Sequence, residues 1–215
     1  MRNVLIVFGF SLGLFSCTSS VRVDELRSAT KLYAAKASLW TLADTTNTSD
    51  TNVSSLLNAF VIDEVGDVKP IKMNRAIEHY LENTRSTKTN LFPVFEVKNG
   101  SRVILPVTGK GLWGGIWGSV LLDKNNLAIA RVIFDHDSET PGMGAEITKE
   151  SFRGQFVGTE IKAAEKSFGL FQDGVELIKG QQRVDGISGA TLTSQGVVQM
   201  LNNSLRKYQH YLESD

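Results

Sequence analysis

The sequence predicts an α+β fold: a central antiparallel sheet with flanking helices and a C-terminal amphipathic helix, preceded by an N-terminal membrane anchor or lipoprotein signal. Three observations predict it. Apolar residues alternate with period two between Leu91 and Phe134, they recur at spacings of three and four from Thr193 onward, and Asn3 to Val21 is a run of 19 residues without a formal charge. These are the patterns of half-buried strands, of an amphipathic helix and of a membrane-directed segment.

The N-terminal run begins after Arg2, and Val4 to Phe15 is almost wholly apolar. Nineteen helical residues rise roughly 28 Å, close to the roughly 30 Å of a hydrocarbon core. Thr18, Ser19 and Ser20 close the run, and Leu14-Phe15-Ser16-Cys17 resembles a lipobox whose Cys17 thiol would take a lipid. Phe15 is bulkier than that pattern usually has, so a transmembrane helix and a lipid on Cys17 both stay open. Either anchor keeps Arg2 in the cytoplasm and puts the bulk of the chain on the periplasmic side of a bacterial inner membrane.

Leu26, Leu32, Leu39 and Leu42 give residues 23–42 helical character, read as a helix rising off the membrane, and the polar stretch 44–55 reads as a surface loop. Asn99-Gly100 between two apolar runs marks a hairpin, and a second hairpin turns at Lys124-Asn125-Asn126 between Ile116–Leu122 and Leu127–Phe134. Ser151 to Phe156 reads as a short helix and Gly174 to Ile178 as another strand. Val197, Val198, Met200, Leu201, Leu205, Tyr208 and Leu212 form the apolar stripe of the terminal helix.

Composition excludes several functions. Lys plus Arg and Asp plus Glu both number 23 in 215 residues, so no cationic surplus draws the chain to nucleic acid. One Cys permits neither an internal disulfide nor a site that needs two thiolates from this chain. His79, His136 and His210 show no metal-ligand spacing, and no metal site is expected. There is no Gly-x-Gly-x-x-Gly after a strand, so a nicotinamide site would belong to a partner and no complete catalytic site is expected here.

The chemistry concentrates at Asp185-Gly186-Ile187-Ser188-Gly189-Ala190-Thr191-Leu192-Thr193-Ser194, just ahead of the terminal helix. Small residues allow a close backbone approach, and a helix N-terminus offers free N–H groups with partial positive charge, a pairing that suits a phosphate. The same residues also suit an ordinary helix cap, and these grounds alone do not separate the two.

Asp185-x-x-Ser188-Gly189-Ala190-Thr191 resembles the flavinylation motif of the FMN-binding domain found in the C subunit of the sodium-translocating NADH:quinone oxidoreductase and in the related Rnf G subunit. Gly109-Lys110-Gly111-Leu112-Trp113 with Gly118, and His136-x-x-Glu139-Thr140-Pro141-Gly142-Met143-Gly144, resemble two further motifs of that C subunit, with Met143 where Leu is usual. The resemblance spans roughly residues 105–205 and divides the chain into an anchor (1–22), an N-terminal helical and loop region (23–90) and an FMN-binding domain (91–212).

What the resemblance implies is an electron carrier with FMN on Thr191 through a phosphoester, an FMN transferase for maturation, and other subunits of a membrane redox complex as partners. Ser188, Gly189, Ala190 and Asp185 would form the attachment segment; the nearby hydroxyls of Thr193 and Ser194 read as helix caps, with either of them the alternative acceptor. Trp113 and Met143 would pack on the ring, Glu139 and Thr140 would hydrogen-bond the ribityl chain or the ring edge, Gly144 would belong to the same binding loop, and Lys110 would sit near the phosphate or N1, where a cation favours the anionic reduced form. A free-standing flavinylated lipoprotein and a non-redox scaffold lipoprotein are the alternatives.

Overall fold

The computed structural model describes residues 36, 39, 41–43, 53–85, 90–162, 165–172 and 176–214. The expected anchor, most of the expected helix over 23–42 and most of the loop over 44–55 lie outside them. Among the described residues no helix is long and apolar enough to cross a membrane.

Among the described residues six strands make one antiparallel sheet: β1 (Leu57–Asp63), β2 (Val68–Pro70), β3 (Leu91–Val97), β4 (Arg102–Lys110), β5 (Gly115–Asp123) and β6 (Ile129–His136), in the order β2-β1-β3-β4-β5-β6. Both expected hairpins are present, as β3–β4 and β5–β6. The stretch read as helix and loop contributes more than that: β1 pairs along its whole length with β3, and a helix α1 (Val53–Leu56) replaces the end of the expected loop.

Successive strand residues serve opposite faces, as the pleat requires. Val103, Leu105 and Val107 of β4 join one core with Phe92, Val94, Val120 and Leu122, whereas Ile104 joins Phe95 and Leu121 in a second core on the other face. Helix α2 (Met73–Arg85) covers the second face through Ala76, Ile77 and Tyr80. The first face receives α3 (Glu150–Arg153) with the 3₁₀ turn Gly154–Phe156, and the long helix α4 (Thr191–Lys207), which continues into α5 (Gln209–Glu213). Phe134, Phe152, Phe156 and Phe168 meet edge-on or tilted, at centroid distances from 5.2 to 6.5 Å, and fix the 150–156 segment to β6.

Of the strand expected at 174–178, the described residues Glu176–Ile178 are irregular, and a separate two-stranded parallel sheet is formed by β7 (Phe168–Phe171) and β8 (Gln182–Asp185) on either side of them. Gln181 ties the turn down, accepting from Ile178 N and donating to Phe168 O.

A pair of prolines decides where α4 lies. Strands β3 and β4 pair at Phe95–Ile104 and Glu96–Val103, and continuing that register sets Pro93 opposite Pro106. Neither has an N–H, so the ladder cannot continue and the strands part. The terminal helix fills the opening. Tyr208 Oη donates to Pro106 O at 2.8 Å and lies 3.3 Å from Pro93 O, while Ser204 Oγ accepts from Thr108 N at 3.2 Å. One turn further toward the N-terminus Met200 fills the space that Gly109 leaves, and at Gly196 an added Cβ would stand 2.5 Å from Lys110 O. Residues four apart along α4 thus track β4 from Pro106 to Lys110, and the helix N-terminus arrives at the end of the strand where the Gly111–Gly114 loop begins.

Candidate functional site

Segment 185–191 is held from beneath and open above. Gln155 works as a short strand: its Oε1 accepts from Asp185 N at 2.7 Å and its Nε2 donates to Asp185 O at 3.2 Å. Ser194 Oγ accepts from Ile187 N and donates to Ala190 O, both at 3.0 Å. Ala190 N closes a turn onto Ile187 O, and Gly189 takes a φ of +74°, which glycine adopts without strain. Ser188, Gly189 and Thr191 remain accessible while Ala190 is buried beneath them. The Asp185 carboxylate pairs with Arg183 at 2.8 Å, whose guanidinium lies over the Phe171 ring.

Thr191 is the first residue of a 17-residue helix whose N-cap position, Ala190, supplies no side-chain cap. Its first N–H groups have no partners within the helix, and the macrodipole adds partial positive charge there. The expected caps do something else. Thr193 is 1% exposed and donates through Oγ1 to Glu139 Oε2 at 2.7 Å; Ser194 is fully buried and braces the loop. Of the three hydroxyls in the first turn of the helix, Thr191 alone faces solvent.

Glu139 is the meeting point. It is 4% exposed, and Oε1 accepts from Trp113 N at 2.9 Å while Oε2 takes the Thr193 hydroxyl. His136 Nδ1 accepts from Glu139 N at 3.2 Å. The carboxylate fits because Gly111 and Gly144 flank it: a Cβ on Gly111 would strike Oε1, and one on Gly144 would strike Oε2 and stand 2.8 Å from Thr193 Oγ1. The loop beyond Glu139 is a turn in which Thr140 O accepts from Met143 N and Ala145 N, with Pro141 setting one corner and Gly142, at φ +73°, the other.

Around this carboxylate the chain displays apolar side chains to water. Leu112 (44%), Trp113 (67%), Met143 (49%) and Leu192 (58%) are all exposed, and each is, or neighbours, a residue that meets Glu139. Thr140 and Lys110 are exposed at the same end. Of the residues singled out from sequence, Lys110, Trp113, Glu139, Thr140, Met143, Gly144, Ser188, Gly189, Ala190 and Thr191 come to this one end of the sheet, whereas the Asp185 side chain turns toward Arg183. Sequence reasoning missed Gln155, Gly196 and Leu192; only Leu192, an apolar residue off the helix stripe, carried a signal.

An uncapped helix N-terminus behind a small-residue loop thus stands at the same end of the sheet as a cluster of exposed apolar side chains. The family model described as FMN-binding domain matches residues 111–206. The C subunit of the Na(+)-translocating NADH-quinone reductase of Chlamydia muridarum is 38% identical over 126 residues, which cover 51% of this chain and 40% of that protein. Its counterpart in Vibrio vulnificus is 35% identical over 119 residues, covering 51% and 45%. The matched stretch is thus less than half the length of these relatives. The crystal structure of the corresponding subunit from Parabacteroides distasonis superposes with a TM-score of 0.69 at 32% identity, covering 88% of this chain and 98% of that one. That of Shewanella oneidensis NqrC gives 0.67 at 22% identity, covering 86% and 97%, a likeness of fold. The chain belongs to the FMN-binding domain family that includes the C subunit of Na(+)-translocating NADH-quinone reductase.

Proposed function

We propose that this chain is an electron-transfer flavoprotein carrying FMN covalently on Thr191, and that it serves as the C subunit, or a homologue of it, in a sodium-translocating NADH:quinone oxidoreductase. The observation that carries the reading is the accessibility of one hydroxyl: Thr191 is exposed at an uncapped helix start, while Thr193 and Ser194 are buried and hydrogen-bonded. Making a phosphoester there requires a phosphoanhydride donor, a flavin dinucleotide. The Thr191 Oγ–P bond forms, the anhydride P–O bond breaks, a nucleoside monophosphate leaves and the hydroxyl proton passes to a base of the transferase.

Bound FMN supplies one-electron chemistry that the side chains at this site do not offer. The chain's residues do the holding. The first N–H groups of α4 favour the phosphate charge, and the small side chains of Ser188 and Gly189 leave the approach open. Leu112, Trp113, Met143 and Leu192 offer apolar surface on which a flat ring excludes water. NADH oxidation and quinone reduction are assigned to partner subunits, which would dock against the exposed ring edge. The proposed location is the periplasmic face of the inner membrane, with the anchor in residues 1–22.

Co-expression with a flavin transferase tests the attachment. The wild-type protein should gain a single FMN and fluoresce in a denaturing gel, and Thr191→Ala should lose the signal completely. Fluorescence that survives in Thr191→Ala and vanishes in Thr193→Ala would contradict the assignment. The sequence Leu14-Phe15-Ser16-Cys17 favours a lipidated, free-standing carrier as the second reading. Loss of fatty-acid incorporation in Cys17→Ser would support it, and unchanged size and membrane association would remove it.

A further inference from the structure

We infer that Glu139 is a positioning residue that locks the flavin-attachment helix to the surface on which the ring lies, without itself being a ligand of the flavin. The inference rests on the flavin reading above and adds to it the device that fixes the ring relative to its tether. A phosphoester on Thr191 restrains only the phosphate end of a long, flexible ligand. Three of the four proposed ring contacts, Leu112, Trp113 and Met143, come in contrast from the loops after β4 and β6, which are far from Thr191 in sequence. Some group must set the distance between tether and ring surface.

Glu139 has the geometry for that task. Its two oxygens are directed to different segments: Oε1 to the backbone N–H of Trp113 at 2.9 Å, Oε2 to the Thr193 hydroxyl at 2.7 Å. Its own backbone N–H is held by His136 Nδ1 at 3.2 Å, at the end of β6. One residue therefore joins the β6 end, the Gly111–Gly114 loop and the first turn of α4. At 4% exposure it is closed to solvent, and the two sides of the carboxylate are packed against Gly111 and Gly144, where any side chain would collide with it. In a buried site each of these hydrogen bonds is expensive to lose. The apolar side chains proposed to carry the ring, Leu112, Trp113, Met143 and Leu192, each belong to this junction or lie beside a residue that does.

The hydrogen bonds, and not the charge, carry the positioning, and this separates it from direct tuning of the flavin. In Glu139→Gln, Oε1 still accepts from Trp113 N, and Nε2 donates to Thr193 Oγ1, so both links survive without the charge. In Glu139→Ala both are lost. Thr193→Val removes one link while keeping the shape of the side chain, and it serves if the alanine variant does not fold.

The experiment uses the full chain, flavinylated by co-expressed transferase, and reads visible circular dichroism and midpoint potential alongside thermal unfolding. If the wild type acquires no FMN, the flavin reading itself fails. If it does, Glu139→Ala and Thr193→Val should retain FMN by intact mass yet lose much of the visible circular-dichroism band and shift the potential, and Glu139→Gln should restore both. Unchanged flavin signals in Glu139→Ala and Thr193→Val, with only a lower melting temperature, would overturn the inference. So would a Glu139→Gln that behaves like Glu139→Ala while folding normally, because the charge would then be the active property.

Discussion

Tyr208 shows how one residue can settle a fold's layout. Its ring packs edge-on to Phe92 within the main core, and its hydroxyl answers the carbonyls of the two facing prolines. Burial pushes its phenol well above the ordinary tyrosine range. Tyr208→Phe keeps the ring and removes the one proton that the hydroxyl gives to the buried Pro106 carbonyl. The expected cost is about 1–3 kcal/mol, measured by denaturant unfolding with an unchanged m-value. A cost near zero would show that the proline gap is stabilised by packing alone. The same residue marks a limit of sequence reading: Tyr208 falls on the apolar stripe of the helix and reads as core, and nothing local announces that its hydroxyl closes a gap between two strands.

At the scale of elements, legibility followed the range of the interactions. The β3–β4 and β5–β6 hairpins are visible because period two and a short turn lie within a single window of sequence. The terminal helix is visible for the same reason, and so is the small-residue segment before it. Strand β1 was missed because Leu57-Asn58-Ala59-Phe60-Val61-Ile62-Asp63 directly follows a polar stretch and gains its strand character from pairing with the distant β3. Of the strand expected at 174–178, the described residues Glu176–Ile178 are irregular. At the candidate site, the glycines of Gly109-Lys110-Gly111 are legible as a motif, but their reason is tertiary: Gly109 admits Met200 and Gly111 admits the Glu139 carboxylate. Gln155 had no signal at all, since a turn glutamine looks the same whether or not it grips a strand 30 residues away.

At the scale of the molecule, the three layers make a core whose buried phenols limit its tolerance to alkali. Burial between α2 and the sheet pushes Tyr80 up to about 12, and Tyr208 and Tyr211 are raised as well, Tyr211 by burial and by its bond to the Glu96 carboxylate. A phenol whose folded value lies above its unfolded one releases its proton more readily in the unfolded chain. The stabilisation is whole below the unfolded value near 10 and is lost as pH climbs toward the folded value. Stability should therefore fall between about pH 10 and 12, with Tyr80 alone contributing about 2–3 kcal/mol to the loss. Ultraviolet absorbance should show these tyrosines ionising together with unfolding. Ionisation that runs to completion in a protein still folded by circular dichroism would contradict this placement of the rings.

The central claim is that a fold which buries two of the three hydroxyls at the start of α4 leaves Thr191 to carry the cofactor. Tandem mass spectrometry of the flavinylated protein tests it most directly. Trypsin releases Val184 to Arg206 as one peptide, which holds Ser188, Thr191, Thr193 and Ser194 together. Fragmentation should locate one FMN phosphate on Thr191 and leave Ser188, Thr193 and Ser194 unmodified. A flavin on any of those three, or a peptide without flavin from protein matured alongside an active transferase, would contradict the account.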